Sequence, residues 1–66
     1  MSLDGEVVRV STAIKPNEEG EVMVPLQGGS QAFPARSYDP KAKFAVGERV
    51  VVLEQAGRVL YVSAVT

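Results

Sequence analysis

Cysteine and histidine are both absent from this sequence of 66 residues. Without cysteine, neither a disulfide bond nor thiolate-bound zinc can stabilise the fold. The commonest general base of enzymes and their best nucleophile are missing as well. A Ser–Lys pair could replace them in principle, but no motif places a serine and a lysine together. The sequence therefore indicates a protein that is not an enzyme.

Sequence signatures of metal and cofactor sites are also missing. The adjacent carboxylates of Glu18 and Glu19 could bind a hard cation, but they lack the spacing of a calcium loop and are typical of a solvated turn. Gly28 and Gly29 are not followed by a helix or by a Lys-Ser or Lys-Thr pair, so they do not match a phosphate-binding loop. We expect neither a metal nor a cofactor.

The chain has no excess of positive charge and no long hydrophobic run. Its formal net charge is −1 and its pI is about 5.2, so it lacks the positive field that attracts nucleic acid or anionic lipid. The longest run of large apolar residues, 50–53, is far shorter than the roughly 20 residues of a membrane span. The first residues lack the features of a secretory signal. We expect residues 1–4 to be a leader and residues 5–66 to form one domain.

Hydrophobic residues make up 45% of the chain and recur with the period of two that is typical of β-strands. The predicted strands are residues 6–13, 20–26, 30–37, 49–55 and 58–65. Asp39 and Pro40 predict the start of a single helical turn, and at most a turn or two of helix fits there. The predicted fold is all-β, a small five-stranded closed barrel, because closure removes the open edges of a short sheet.

Alternation within the runs predicts which side chains fill the barrel. The inward residues of the last two strands are Val50, Val52, Leu60 and Val62. In the first run, one face carries Val8, Val10 and Thr12. Phe33 is expected in the core and Phe44 at one end of the barrel. Because Pro34 cannot donate a hydrogen bond, the third strand is expected to lie at an edge or to contain a bulge.

The outward side of the last two strands is unusually apolar. Its predicted members are Val51, Leu53, Val59 and Tyr61. An apolar stripe on a small barrel must be covered or used, and the natural use is association with a partner or oligomerisation. The alternatives are that a loop or the first strand covers the stripe, or that the strand register differs.

Single-stranded nucleic-acid binding is the alternative function, since five-stranded barrels often bind single strands with stacked aromatic rings and a basic groove. Tyr38 and Tyr61 are the candidate stacking residues. Arg36, Lys41 and Lys43 could form a small basic spot near Tyr38. The other interpretation is a solvated loop of mixed charge, and the acidic pI favours it.

Several segments in a fixed order match a known pattern. They are residues 20–24 (GEVMV), 28–29 (GG), 33–37 (FPARS), 46–52 (VGERVVV) and 57–62 (GRVLYV). This order resembles the C-terminal soluble domain of the NfeD family of bacterial and archaeal membrane proteins, over residues 5–65. The positions that match the family's fold-defining residues are Phe33, Ala35, Gly47, Val50, Val52, Leu60 and Val62.

The resemblance implies an OB-fold-like barrel and a parent protein at the cell membrane, of which this domain is the soluble part on the cytoplasmic side. It also implies protein partners, namely stomatin- or flotillin-like membrane scaffolds or a membrane protease, and a role in regulating membrane protease activity. Longer relatives carry a separate Ser–Lys protease domain, to which nothing here corresponds, so no catalytic residue is implied. The connection containing Asp39, Pro40 and Lys41 is longer than the resemblance leads us to expect.

Overall fold

Five β-strands account for most of the chain in the computed structural model, which describes residues 3–65. They are β1 (Val7–Thr12), β2 (Gly20–Leu26), β3 (Gly29–Ser37), β4 (Arg49–Ala56) and β5 (Val59–Ala64). Valine-rich alternation favours four of these strands, all except β3, because β-branched side chains pack well on a pleated surface. The five predicted strands are confirmed, and residues 3–65 contain no helix. The first half of the expected leader, residues 1–2, lies outside the described residues.

The strands close into a barrel in the order β1-β2-β3-β5-β4, with β4 returning to β1. All neighbouring pairs are antiparallel except β3 and β5, which pair in parallel through Ala35–Leu60, Arg36–Tyr61 and Ser37–Val62. A parallel pair needs a crossover connection, which here consists of residues 38–48 and the β4 strand. The predicted closed, OB-fold-like barrel is therefore confirmed.

The barrel interior is filled by aliphatic side chains from all five strands and by one aromatic ring. The buried hydrophobic residues are Val8, Val10, Ile14, Val22, Val24, Ala35, Phe44, Val50, Val52, Leu60 and Val62. The four residues predicted to point inward from β4 and β5 are all 0% exposed, which confirms that assignment. This packed interior fixes the opposite faces of the same strands as the outer surface of the barrel.

A bulge in β1 changes the predicted face of one residue. Val10 lies opposite Val22 and Thr12 lies opposite Glu21, so Ser11 is an extra residue in the strand. The prediction that Thr12 shares the face of Val10 is wrong, because the extra residue turns Thr12 outward. Its hydroxyl donates to Glu21 Oε1 at 3.1 Å.

Ile14, which lies beyond the first predicted strand and was not identified by the alternation, also belongs to the core. Ile14 is fully buried and forms an isolated bridge with Phe44 beyond the end of the strand. Phe44 is itself buried, which confirms its predicted place at one end of the barrel. Together the two side chains belong to the core cluster rather than to a loop.

The proline in β3 lies where only one neighbour is paired. Pro34 is opposite Glu21 of β2, and the register with β5 begins one residue later, at Ala35. The prediction of an edge position is therefore confirmed for this half of the strand. Phe33, opposite Val22, packs against the core but is only half-buried, so the prediction that it lies in the core is correct only in part.

The connection after β3 forms a β-turn instead of the predicted helical turn. The Ala42 amide donates to Asp39 O at 3.0 Å, which closes the turn. The Asp39 carboxylate accepts a hydrogen bond from the Lys41 amide at 3.0 Å, as a helix-capping aspartate would. No further turn follows, because the chain becomes extended at Phe44 to pair with Ile14.

Candidate interaction surface

Tyr61 is the centre of a row of three residues on the outer face of the barrel. Its Cα is paired with Arg36 on β3 and with Glu54 on β4. Paired residues share one face of a sheet, and the neighbouring pair Ala35–Leu60 faces the core. The Tyr61 side chain therefore lies outside between a cation and an anion, and it is half-buried.

A bulge in β4 gives this row its composition. The register shifts between Val52, opposite Val62, and Glu54, opposite Tyr61, so Leu53 has no opposite residue. Without the extra residue, simple alternation after Val52 would turn Glu54 toward the apolar interior. The bulge keeps the Glu54 carboxylate outside. Leu53 lies outside as well, as its parity predicts, with 43% of its surface exposed.

The remaining predicted members of the apolar stripe lie on the same outer face. Val51 is opposite Ser63 of β5 and Val7 of β1, and Val59 is opposite Ala56. Val51 and Val59 are half-buried, like Tyr61, so all four predicted outward residues lie outside the core. We call Val51, Leu53, Val59 and Tyr61 the β4–β5 face.

Val7 extends the β4–β5 face onto β1 and was missed by the sequence reasoning. It is 40% exposed and lies beside Val51 because β1 closes the barrel against β4. Its outward parity can be read from the sequence, but only the β1–β4 register shows that it continues this surface. The first strand thus lies alongside β4 and does not cover the stripe.

Tyr38 lies close to Tyr61 although the two are 23 residues apart. Its amide donates to Val62 O at 2.8 Å, which extends the β3–β5 ladder, and its side chain is 59% exposed. Both tyrosines line two open surface depressions, of about 240 and 280 Å³. The other residues of the first depression are Asn17, Glu18, Arg36, Ser37 and Pro40. Those of the second are Glu54 and Ala56.

The residues proposed as a basic spot are divided between separate places. Arg36 and Tyr38 share the first depression, whereas Lys43 lines a different one beside Ile14 and Phe44. Lys41 is exposed in the β-turn and lines neither tyrosine depression.

The positive charge of Arg36 is already engaged within the chain. Its Nη1 donates to Asn17 O at 3.4 Å, and its Nε lies 4.0 Å from Glu19 Oε1. Two further carboxylates, Glu18 and Glu54, line the tyrosine depressions. The electrostatic character around the tyrosines is therefore mixed to acidic.

Ionisable groups in the part of the chain that the structure describes form no candidate metal site. No group of three or more acidic residues there is arranged to hold a metal ion. Ser37 Oγ and Ser11 Oγ are buried, and neither has a hydrogen-bond partner among the described residues. What the geometry does offer is a surface: an apolar face that passes into two depressions around a pair of tyrosines.

Fold and surface together define a small closed β-barrel domain. Comparison with known families gives a more specific result: residues 5–63 match the model of the NfeD C-terminal domain. The chain therefore belongs to the NfeD family, as its C-terminal domain. Comparison with curated proteins finds no match.

Solved structures agree with this family. The chain is 32% identical to the soluble domain of a membrane protein implicated in regulation of membrane protease activity from Corynebacterium glutamicum, with a TM-score of 0.79, covering 94% of this chain and 90% of that one. It is 31% identical to the soluble domain of the NfeD protein YuaF from Bacillus subtilis, with a TM-score of 0.81, covering 94% and 73% respectively.

A third similar structure comes from an archaeon. It is the C-terminal domain of stomatin operon partner protein 1510-C from Pyrococcus horikoshii, with 26% identity and a TM-score of 0.74 over 97% of this chain and 89% of that one. Both bacterial neighbours are soluble domains, and the one from Corynebacterium glutamicum is the soluble domain of a membrane protein. Among residues 3–65 of this chain, no helix has the length and apolarity needed to cross a bilayer.

Proposed function

We propose that this domain is a non-catalytic interaction module of a membrane-anchored protein and lies on the cytoplasmic side of the cell membrane. It binds a stomatin- or flotillin-like membrane scaffold and thereby contributes to the regulation of membrane protease activity. Family membership supports the membrane anchor, and the descriptions of the Corynebacterium and Pyrococcus relatives support protease regulation and a stomatin-like partner.

The observation that carries the proposal is the β4–β5 face. An aromatic ring and three aliphatic side chains lie on the outside of two adjacent strands, and Val7 continues them onto β1. Apolar and aromatic side chains of this kind form the centres of protein interfaces, with charged residues such as Arg36 and Glu54 at the rim. A standard interface removes about 800 Å² from each partner, and this barrel exposes 4340 Å². One side of the barrel is therefore large enough.

A membrane tether would make even a weak interface effective. When two proteins are held at the same membrane, the second binding event occurs at a high effective concentration, so a modest intrinsic affinity is sufficient.

The test uses the full-length protein in its native membrane, together with the stomatin-like scaffold of the same organism. Leu53→Lys introduces a charge into the β4–β5 face and should reduce co-purification of the scaffold at least tenfold. Met23→Lys is the matched control, because Met23 is 40% exposed but lies on β2. Equal capture by the wild type and both variants would overturn the proposed surface, and no capture by the wild type would overturn the proposed partner.

Single-stranded nucleic-acid binding is the second candidate, and the pairing of exposed Tyr38 with Tyr61 favours it. Stacking of bases on aromatic side chains contributes about 1–3 kcal/mol per base. The engaged Arg36 and the carboxylates of Glu18 and Glu54 work against a polyanion at the same place. Titration with a single-stranded oligonucleotide tests this candidate. Genuine binding must weaken steeply as the salt concentration rises and must be lost in the Tyr38→Ala variant.

A further inference from the structure

The two depressions, or hollows, that Tyr38 and Tyr61 line form a single grooved surface, which we call the tyrosine groove. Tyr38 and Tyr61 line both of them, so the rings stand between two adjacent hollows. Pro40 adds a rigid apolar wall to the first hollow, and Ala56 adds a small one to the second. Hollows separated by aromatic rings are suited to an extended segment whose neighbouring side chains enter one hollow each.

The charged side chains along this surface indicate that its ligand carries positive charge. Glu18 lines the first hollow and Glu54 the second, and no ion pair within residues 3–65 engages either carboxylate. The only cation that lines either hollow in this part of the chain, Arg36, is paired with Glu19. A ligand with basic side chains flanking an apolar centre would complement this pattern, and an anionic ligand would meet repulsion from both carboxylates.

We propose that the tyrosine groove binds an extended, proline-containing segment with basic residues on a partner protein. This inference rests on the proposed function, since it names the chemistry of the segment that an interaction module of this kind would take.

The polyproline II conformation explains why proline suits this site. It repeats every three residues, so two side chains of each turn can face the surface and occupy adjacent hollows. Proline rings pack flat against tyrosine, and the conformation is already formed in the free segment, so little entropy is lost on binding. The tyrosine hydroxyls can donate to carbonyl groups of the ligand, which in this conformation have no internal hydrogen bonds.

The experiment is an NMR titration of the ¹⁵N-labelled 66-residue protein with three synthetic nine-residue peptides. The first contains three Pro-Pro-Arg repeats, the second three Gly-Ser-Arg repeats with the same charge, and the third three Pro-Pro-Glu repeats. Nine residues of polyproline II extend about 28 Å, long enough to cross both hollows. We expect saturable shifts around Tyr38, Tyr61 and Glu54 with the first peptide, at least tenfold weaker binding of the second, and none of the third.

Two pairs of variants locate the contact. Tyr38→Ala should weaken binding of the Pro-Pro-Arg peptide about tenfold, whereas Val46→Ala, at an exposed turn elsewhere, should leave it unchanged. Glu54→Lys should weaken binding further than Glu48→Lys, which makes the same charge change about 20 Å away, just before β4 begins.

Each contrary result overturns a defined part of the inference. Equal binding of both arginine peptides would mean that charge alone is recognised, and no binding, or binding of the glutamate peptide, would exclude the proposed ligand. These results are independent of the scaffold assay. Scaffold capture with no peptide binding overturns only this inference, whereas peptide binding without capture overturns the stomatin-like partner.

Discussion

Ile14 and Phe44 exchange two backbone hydrogen bonds, of 2.9 and 2.8 Å, across one end of the barrel. The bridge joins the connection after β1 to the connection before β4, and both side chains are buried. Both connections are thus attached to the core through this bridge, and truncation of either buried side chain should destabilise the whole domain.

Ile14→Ala should therefore destabilise the protein by about 2–4 kcal/mol, because it leaves a cavity that the fixed bridge cannot collapse. The control is Val46→Ala, since Val46 is 65% exposed in the neighbouring turn and should cost less than about 0.5 kcal/mol. Chemical denaturation measures the free energy of unfolding of both variants. Equal midpoints for the two variants would show that Ile14 does not belong to the core.

The interior of β4 and β5 should be equally sensitive. Leu60→Ala or Val52→Ala should cost about 2–4 kcal/mol, since both side chains are 0% exposed. In a domain of this size such a loss lowers the Tm by roughly 10 °C or more. Leu53→Ala, on the same hairpin but outside, should shift the melting curve much less, and an unchanged melt for Leu60→Ala would contradict the inward assignment.

Substitution of Gly20 by any residue with a side chain should destabilise the fold. A Cβ at this position would lie 2.5 Å from the carbonyl oxygens of both Thr12 and Ala13, and backbone atoms cannot easily move away. Gly20→Ala should cost about 1–3 kcal/mol through overpacking.

Gly57→Asn provides the contrasting glycine substitution. Gly57 has a positive φ of 62°, but a Cβ added there would meet no atom within 4 Å, and asparagine tolerates this left-handed conformation. Thermal denaturation should show Gly57→Asn close to the wild type and Gly20→Ala clearly below it. The reverse order would mean that backbone conformation, rather than crowding, governs these sites.

Removal of the Ser37 hydroxyl should be tolerated. Ser37 Oγ is buried and has no hydrogen-bond partner among residues 3–65, so the folded state gains little from it. Ser37→Ala should change the free energy of unfolding by less than about 0.5 kcal/mol or increase it. Ser63→Ala, also in a strand, corrects for the change in strand propensity. A loss of more than about 1 kcal/mol relative to Ser63→Ala would reveal a hydrogen bond in solution.

The strands and inward residues could be predicted because valine recurs in four of the five strands, all except β3, and alternation within these runs is clear. Predicted and observed strand ends differ by at most one residue, and Val50, Val52, Leu60 and Val62 lie inside as expected. Local patterns of this kind need no knowledge of the tertiary fold.

Three features depended on strand register and could not be predicted in this way. The β1 bulge reverses Thr12, the β4 bulge keeps Glu54 on the outer face, and barrel closure places Val7 beside Val51. A bulge has no fixed sequence signature, so alternation cannot show where the parity changes.

The candidate site was predicted as two alternative sets of residues that shared only Tyr61. The apolar stripe and the proposed nucleic-acid contacts meet at Tyr61, because β3 and β5 pair in parallel and bring Tyr38 and Arg36 to it. The pairing of β3 with β5 is what brings residues 36–38 next to Tyr61, which is far from them in sequence. Sequence proximity instead grouped Lys41 and Lys43 with Tyr38, although neither lysine lines the tyrosine depressions.

The parallel contact between β3 and β5 comprises only three residue pairs, yet it seals the cylinder. Both tyrosines stand along this short seam, Tyr61 within it and Tyr38 just beyond it. A molecule that binds both rings would stabilise the pairing of β3 with β5, since separation of the two strands would destroy its binding site. Occupancy should then slow amide exchange in β3 and β5, so that the domain's resistance to opening reports whether its partner is present.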